Sequence, residues 1–153
     1  MKTKTFTFEL FLYLLAFVLA LVLRLAQLGA APLGDVEAGW ALQALDLVRG
    51  QEFTFGPQPL YVLFTSQLFA LLGSSNALAR LLPALAGSSL PLLPLFLGRW
   101  TSGSQRLRWA GLIFAFGMAI DPGLVALSRQ AGSLVPALAF SFLAVALYAA
   151  RRP

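Results

Sequence analysis

The sequence has 153 residues, of which 59% are hydrophobic and 11% charged, against roughly 45–50% and about 25% in ordinary soluble domains; no water-soluble domain of this size hides that much apolar surface. The net charge of +5 does not signal a nucleic-acid partner, because Lys2, Lys4, Arg99, Arg106, Arg108, Arg151 and Arg152 sit at the ends of apolar segments, where basic residues anchor membrane helices and set their orientation. Cysteine and histidine are both absent, which excludes disulfides, thiol and Ser-His nucleophiles, imidazole metal ligands and the usual haem and iron–sulfur ligands, so any chemistry rests on carboxylates, Arg and Lys.

A bilayer core about 30 Å thick needs roughly 20 apolar residues per helix, so the expected fold is all-α: one transmembrane domain over 1–153, with about five spans and one interfacial helix. The first span is expected at 10–28, with Arg24 near its far end, placed to snorkel to the interface. Lys2 and Lys4 precede it as in a signal peptide, but no small-residue cleavage site follows closely, so it reads as an uncleaved spanning helix. After a break at Pro32, residues 36–49 form an amphipathic pattern. Trp40, Ala41, Ala44, Leu45 and Val48 share one side and Gly39, Gln43, Asp46 and Gly50 another, which suits a helix on the membrane surface.

The second span is expected at 58–72, with Pro59 in its first turn, where proline is tolerated. Gly73-Ser74-Ser75-Asn76 is a tight turn, and the third span, 77–97, is interrupted by Pro83, Pro91 and Pro94. Its backbone must kink and find partners on neighbouring helices, so it belongs inside the bundle. A basic connection from Arg99 to Arg108 leads to a fourth span at 109–127, which contains Asp121-Pro122; Arg129 precedes a fifth at 132–150.

Lys2 and Lys4 place the start of the first span in the cytoplasm, so the 29–57 loop, with Asp35, Glu37, Asp46 and Glu52, faces outward across the cytoplasmic membrane. Simple alternation of five spans then sends the basic 99–108 loop outward, against the positive-inside rule. Either that loop is an exception, or one of the proline-broken segments does not fully cross.

The richest stretch is Pro32-Leu33-Gly34-Asp35-Val36-Glu37-Ala38-Gly39-Trp40, followed by Gly56-Pro57-Gln58-Pro59-Leu60-Tyr61. A carboxylate pair at the outer face can act as a general base on an acceptor hydroxyl or bind a divalent cation. The plainer reading has Asp35 capping the surface helix and Glu37 favouring its positive end.

Leu23-Arg24-Leu25 closing the first span, Gly34-Asp35-Val36-Glu37-Ala38, Gly56-Pro57-Gln58-Pro59-Leu60-Tyr61, Ala79-Arg80-Leu81-Leu82-Pro83-Ala84-Leu85-Ala86-Gly87 and Leu127-Ser128-Arg129 follow one another across nearly the whole chain. In that order and spacing they resemble the N-terminal module of the GT-C membrane glycosyltransferases, the superfamily of protein O-mannosyltransferases and aminoarabinose transferases that use polyprenyl-phosphate sugars. The resemblance implies that Asp35 is the catalytic carboxylate that takes the acceptor's proton, and that Glu37 is an auxiliary acid or metal contact. It also implies that Arg80 and Arg129 pair with charges in the bundle or with a lipid phosphate; taken alone, each arginine reads as an interfacial anchor. The chain departs from the pattern at Val36, which separates the two acids, and at Ser133 and Leu134, where related sequences carry a further acid.

Such enzymes are much longer, so the isolated chain is expected to be incomplete for catalysis without further helices or partner chains. The alternative is a non-catalytic transmembrane subunit, with Gly87-Ser88-Ser89 and Gly111 as small-residue contacts to other helices. A transporter or channel using Asp121 and Arg129 lacks the inverted repeat such folds carry. Membrane lipid is the expected partner on any of these readings.

Overall fold

The computed structural model describes residues 2–52, 54, 56–98 and 105–150. Among them all regular structure is helical: α1 (Lys2–Leu25), α2 (Asp35–Arg49), α3 (Pro59–Leu72), α4 (Asn76–Ser89), α5 (Leu93–Gly98), α6 (Gln105–Ile120), α7 (Pro122–Ser128) and α8 (Leu134–Ala150), with a 3-10 turn at Leu90–Leu92 between α4 and α5.

The all-α expectation holds, but the count of spans does not. Phe8–Leu25 and Asn76–Phe96 are long and apolar enough to cross a membrane, and α6 with α7 makes a third candidate only if the pair, bent by 55° at its break, is one span. The segment expected as the second span yields the 14-residue α3, roughly 21 Å long at 1.5 Å per residue and short of a ~30 Å hydrocarbon core. The segment expected as the fifth forms the 17-residue α8, whose described apolar stretch is Leu134–Val145.

Proline explains the breaks. Each proline in a helix lacks the N–H that would serve the carbonyl four residues earlier, and at Pro83, Pro91, Pro94 and Pro122 the freed carbonyl finds another donor. For Pro83 that carbonyl is Ala79 O, which accepts the Tyr61 hydroxyl from α3 at 2.6 Å. For Pro91 and Pro94 the carbonyls are those of Gly87 and Leu90, which accept the closer N–H groups of Leu90 and Leu93 and so tighten the chain into the 3-10 turn. For Pro122 it is Met118 O, which accepts Arg24 Nη2 at 3.0 Å. The proline-rich span is accordingly the more buried, at 50% against 22% for the first.

That last bond corrects the expectation for Arg24, which does not snorkel outward. It is fully buried and donates through Nη1 to Ala119 O at 3.0 Å, closing the C-terminal end of α6 where Asp121 starts α7 by accepting the Leu124 N–H at 2.7 Å. The reason is local: a helix end broken by proline inside a bundle exposes carbonyls that water cannot reach, and a guanidinium satisfies several at once.

One ion pair, the Arg24 hydrogen bonds and two close packings fix the directions of the helices. Arg108 at the start of α6 pairs with Glu9 near the start of α1, while Arg24 joins their far ends, so α1 and α6 run parallel. Gly29, just beyond α1, lies against Ala77 in the first turn of α4, and Gly87 further along α4 lies beside Arg24, so α4 runs antiparallel to α1. Tyr13 and Ala16 of α1 pack with Leu112 and Ala115 of α6 in one core cluster. Large apolar side chains lie exposed along the outer faces of α1 and α6, Phe11, Leu14, Val22, Ile113 and Phe114 among them, a surface compatible with membrane insertion.

Candidate functional site

The acidic stretch opens on Gly34, which N-caps α2 in extended geometry. Asp35 is therefore the first helical residue and not the cap: its side chain makes no capping bond, which corrects the capping reading. Glu37, two residues on, reaches back instead and accepts the Gly34 N–H at 2.9 Å, the carboxylate half of a capping box. At the other end Gly50 takes a left-handed φ of 67°, and Gln51 N donates to Asp46 O and Gly50 N to Leu47 O, the Schellman pattern that favours glycine there.

The face of α2 bearing Ala41 and Ala44 packs on Tyr61, Val62 and Phe69 of α3, Ala79 of α4 and Ala131 before α8, with Trp40 and Leu45 against the same cluster. Trp40 meets Tyr61 edge-on, ring centroids 6.3 Å apart. Small residues at 41 and 44 let the backbones approach closely, and this close packing sets the position of the acids.

Glu37 is the hub. Its Oε2 accepts Arg80 Nη2 at 2.7 Å and its Oε1 accepts Arg80 Nε at 3.2 Å, a two-pronged ion pair with side chains 13% and 10% exposed. Oε1 also accepts the Ala131 N–H at 2.5 Å. Burial pushes the Glu37 carboxyl up, but the hydrogen bonds from Arg80, Gly34 and Ala131 outweigh it and leave its pKa below the ordinary carboxylate value. Arg80 spends its remaining N–H groups on the carbonyls of Leu28, Ala31 and Pro32. One carboxylate and one guanidinium thus tie together the end of α1, the start of α2, α4 and the α7–α8 connection.

Asp35 lies exposed beside this clamp, with no hydrogen bond or ion pair among the described residues. Both Glu37 oxygens are turned to N–H donors, so Asp35 is the open carboxylate of the pair and the two do not form a chelating set. Among the described residues no three acidic side chains converge on one point. Arg129 closes the end of α1, donating to Leu23 O at 2.9 Å and Gln27 O at 3.3 Å; Gln27 holds a left-handed φ of 52°. With only those two acceptors, Arg129 keeps N–H groups unspent, whereas every Arg80 N–H has a partner.

The structure also gives parts to residues that the motif reading quoted without assigning them a role. Gln58 accepts the Ser133 N–H at 2.7 Å. A cavity of about 240 Å³ opens between Trp40, Gln58 and residues 130–135. Gly132, at φ 153°, fits under Trp40, where a Cβ would come within 3.1 Å of the indole. The sequence places the start of the fifth span at 132, whereas α8 starts at Leu134 and Gly132-Ser133 forms its approach. Gly87 and Gly111, offered above as contacts to other chains, are used within this one, against Ser128 and Tyr13. No protein-family model matches the chain, and no curated protein or solved structure matches it.

Proposed function

We propose that this chain is the N-terminal module of a membrane-embedded glycosyltransferase of the GT-C type, transferring a sugar from a polyprenyl-phosphate donor to a hydroxyl acceptor at the outer face of the cytoplasmic membrane. The observation that carries this reading is the contrast between the two acids. Glu37 is committed to Arg80, while Asp35, two residues away on a rigidly held helix start, is open to solvent. In the reaction the acceptor oxygen attacks the anomeric carbon, the bond from that carbon to the phosphate oxygen breaks, and polyprenyl phosphate leaves with the electron pair. Asp35 takes the acceptor's proton as general base; Glu37 and Arg80 hold the helix that presents it. Arg129, with N–H groups to spare, is the better placed of the two arginines for a lipid phosphate.

Lys2 and Lys4 orient the start of α1 to the cytoplasm and the site to the opposite face. Catalysis by this reading needs helices beyond those described, in the same polypeptide or in partner chains. The test is sugar transfer in membranes that hold the complete assembly: Asp35→Asn should lower the rate by on the order of 10²–10⁴-fold, and transfer at the parental rate would remove the assignment.

A further inference from the structure

We infer that α3 does not cross the membrane but lies within the leaflet on the acidic side, its outer face immersed in acyl chains. The crossing elements are then α1, α4 with α5, and α6 with α7 taken as one bent span. The inference rests on the chain being embedded in a bilayer, as proposed above, and is independent of any transfer chemistry.

Both ends of α3 sit at one end of the bundle. Tyr61, in its first turn, donates its hydroxyl to Ala79 O in the first turn of α4, and Leu72, its last residue, leads through residues 73–75 directly into Asn76, where α4 begins. A three-residue link reaches at most about 13 Å, so neither end can be displaced from α4's start by a ~30 Å hydrocarbon core.

The two faces of α3 name its surroundings. Tyr61, Val62, Thr65, Ser66 and Phe69 are buried against the protein, including all of the helix's hydroxyls. The opposite face carries Leu60, Phe64, Leu71 and Leu72 at 67, 55, 79 and 67% exposure, and the helix has no charged residue. Every hydroxyl faces inward, and the outer face is apolar but for the exposed amide of Gln67 between Phe64 and Leu71; a largely apolar, uncharged outer face suits contact with lipid and is continuous with the exposed leucines and phenylalanines of α1 and α6.

The arrangement also removes the conflict over charge. With α3 confined to one leaflet, Arg106 and Arg108 lie on the side of Lys2 and Lys4, as the Glu9–Arg108 pair already requires, and they no longer run against the positive-inside rule.

The chain has no native cysteine, so single-cysteine variants report directly. Gln51→Cys, Ser74→Cys and Gln105→Cys, all at exposed positions, are treated with an impermeant maleimide in intact and in permeabilised cells, after carbonate washing has shown the chain to be membrane-integral. Positions 51 and 74 should label in intact cells and 105 only after permeabilisation. Labelling of 51 and 74 from opposite sides means that α3 crosses, and overturns the inference; so does labelling of all three from one side. If 51 and 74 label together but only after permeabilisation, with 105 open in intact cells, α3 still stays in one leaflet and it is the proposed orientation that falls. Release by carbonate would sink both readings. A spin label at Leu71→Cys in phosphatidylcholine–phosphatidylglycerol vesicles should collide with oxygen and be shielded from a water-soluble nickel chelate. Strong collision with nickel means water, and collision with neither means a second copy of the chain; either overturns the lipid assignment.

Discussion

Arg80 and Glu37, 43 residues apart in sequence, form an ion pair in which the guanidinium has no N–H left over and the carboxylate holds the helix start and the α7–α8 connection together. Such a pair is costly to break from one side, because the survivor is left charged and buried. Glu37→Ala and Arg80→Ala are each expected to destabilise the protein by on the order of 3–5 kcal/mol, and the double variant by less than the sum. Arg80→Lys should recover little, since an ammonium cannot serve Glu37 and three carbonyls in one plane. Thermal unfolding in detergent micelles measures all four; additive losses would show that the two side chains act independently.

The same pair gives a pH dependence. Glu37 has its pKa lowered on folding, so the stability it supplies is fully present above the unfolded-state value of about 4.3 and is lost as pH falls through the lower folded value. Between neutral pH and about 5 the clamp should contribute a constant amount. Melting temperature should fall through the acid range in the parent, and Glu37→Gln should start lower and show a shallower acid limb. Parallel limbs would mean that Glu37 does not titrate differently in the two states.

Composition and periodicity made the all-helical fold and its long apolar helices legible, and the amphipathic pattern of 36–49 located α2 to within a residue. The span count was not legible, because a run such as 58–72 is apolar whatever length of helix it yields; α3 has 14 residues and is held to the start of α4 by the Tyr61–Ala79 bond, and no spacing announces either. The four candidate site residues were visible as charges, but the partners of Glu37, Arg80 and Arg129 beyond the ion pair itself are backbone groups, Gly34, Leu28, Ala31, Pro32 and Ala131 for the clamp and Leu23 and Gln27 for Arg129. Backbone partners leave no mark on residue type. Arg24 misled for the same reason, since its acceptors are carbonyls exposed by a proline nearly a hundred residues away.

Arg24 and Pro122 should therefore be energetically coupled. Arg24→Met removes the donors for Met118 and Ala119 and should cost at least the 1–3 kcal/mol typical of an unsatisfied buried polar group. Pro122→Ala returns an N–H that can serve Met118 O and allows α6 to continue through the present break. In that background Arg24→Met is expected to cost less. Equal costs in both backgrounds would separate the arginine from the break.

Two glycines give opposite expectations from one substitution. A Cβ on Gly87 would stand 2.4 Å from Ser128 Cβ, so Gly87→Ala must push α4 from α7 and should destabilise by roughly 1–3 kcal/mol, the usual cost of overpacking. A Cβ on Gly117, in the last turn of α6, meets nothing within 4 Å, and Gly117→Ala should stabilise by up to about 1 kcal/mol through helix propensity. Comparing the two melts separates close packing from propensity, and a neutral Gly87→Ala would show that α4 and α7 do not approach as closely as described.

Asp35 provides the sharpest separation of chemistry from folding. Were it the helix cap, Asp35→Ala would cost roughly 1 kcal/mol and Asp35→Asn almost nothing. Gly34 occupies the cap and Glu37 serves its N–H, so Asp35 contributes only through the positive end of the helix, a term of about 0.3–1 kcal/mol at low salt that screening removes. In 0.5 M salt both variants should melt with the parent, while Glu37→Gln does not. A catalytic Asp35 adds a second signature, because alanine and asparagine equally lack a proton acceptor and should lose transfer equally. Two variants that melt like the parent and are both inactive in the complete assembly place Asp35 in the reaction. A lowered melting temperature for Asp35→Ala alone, in high salt, would return Asp35 to a structural role and leave the proposed chemistry without its base.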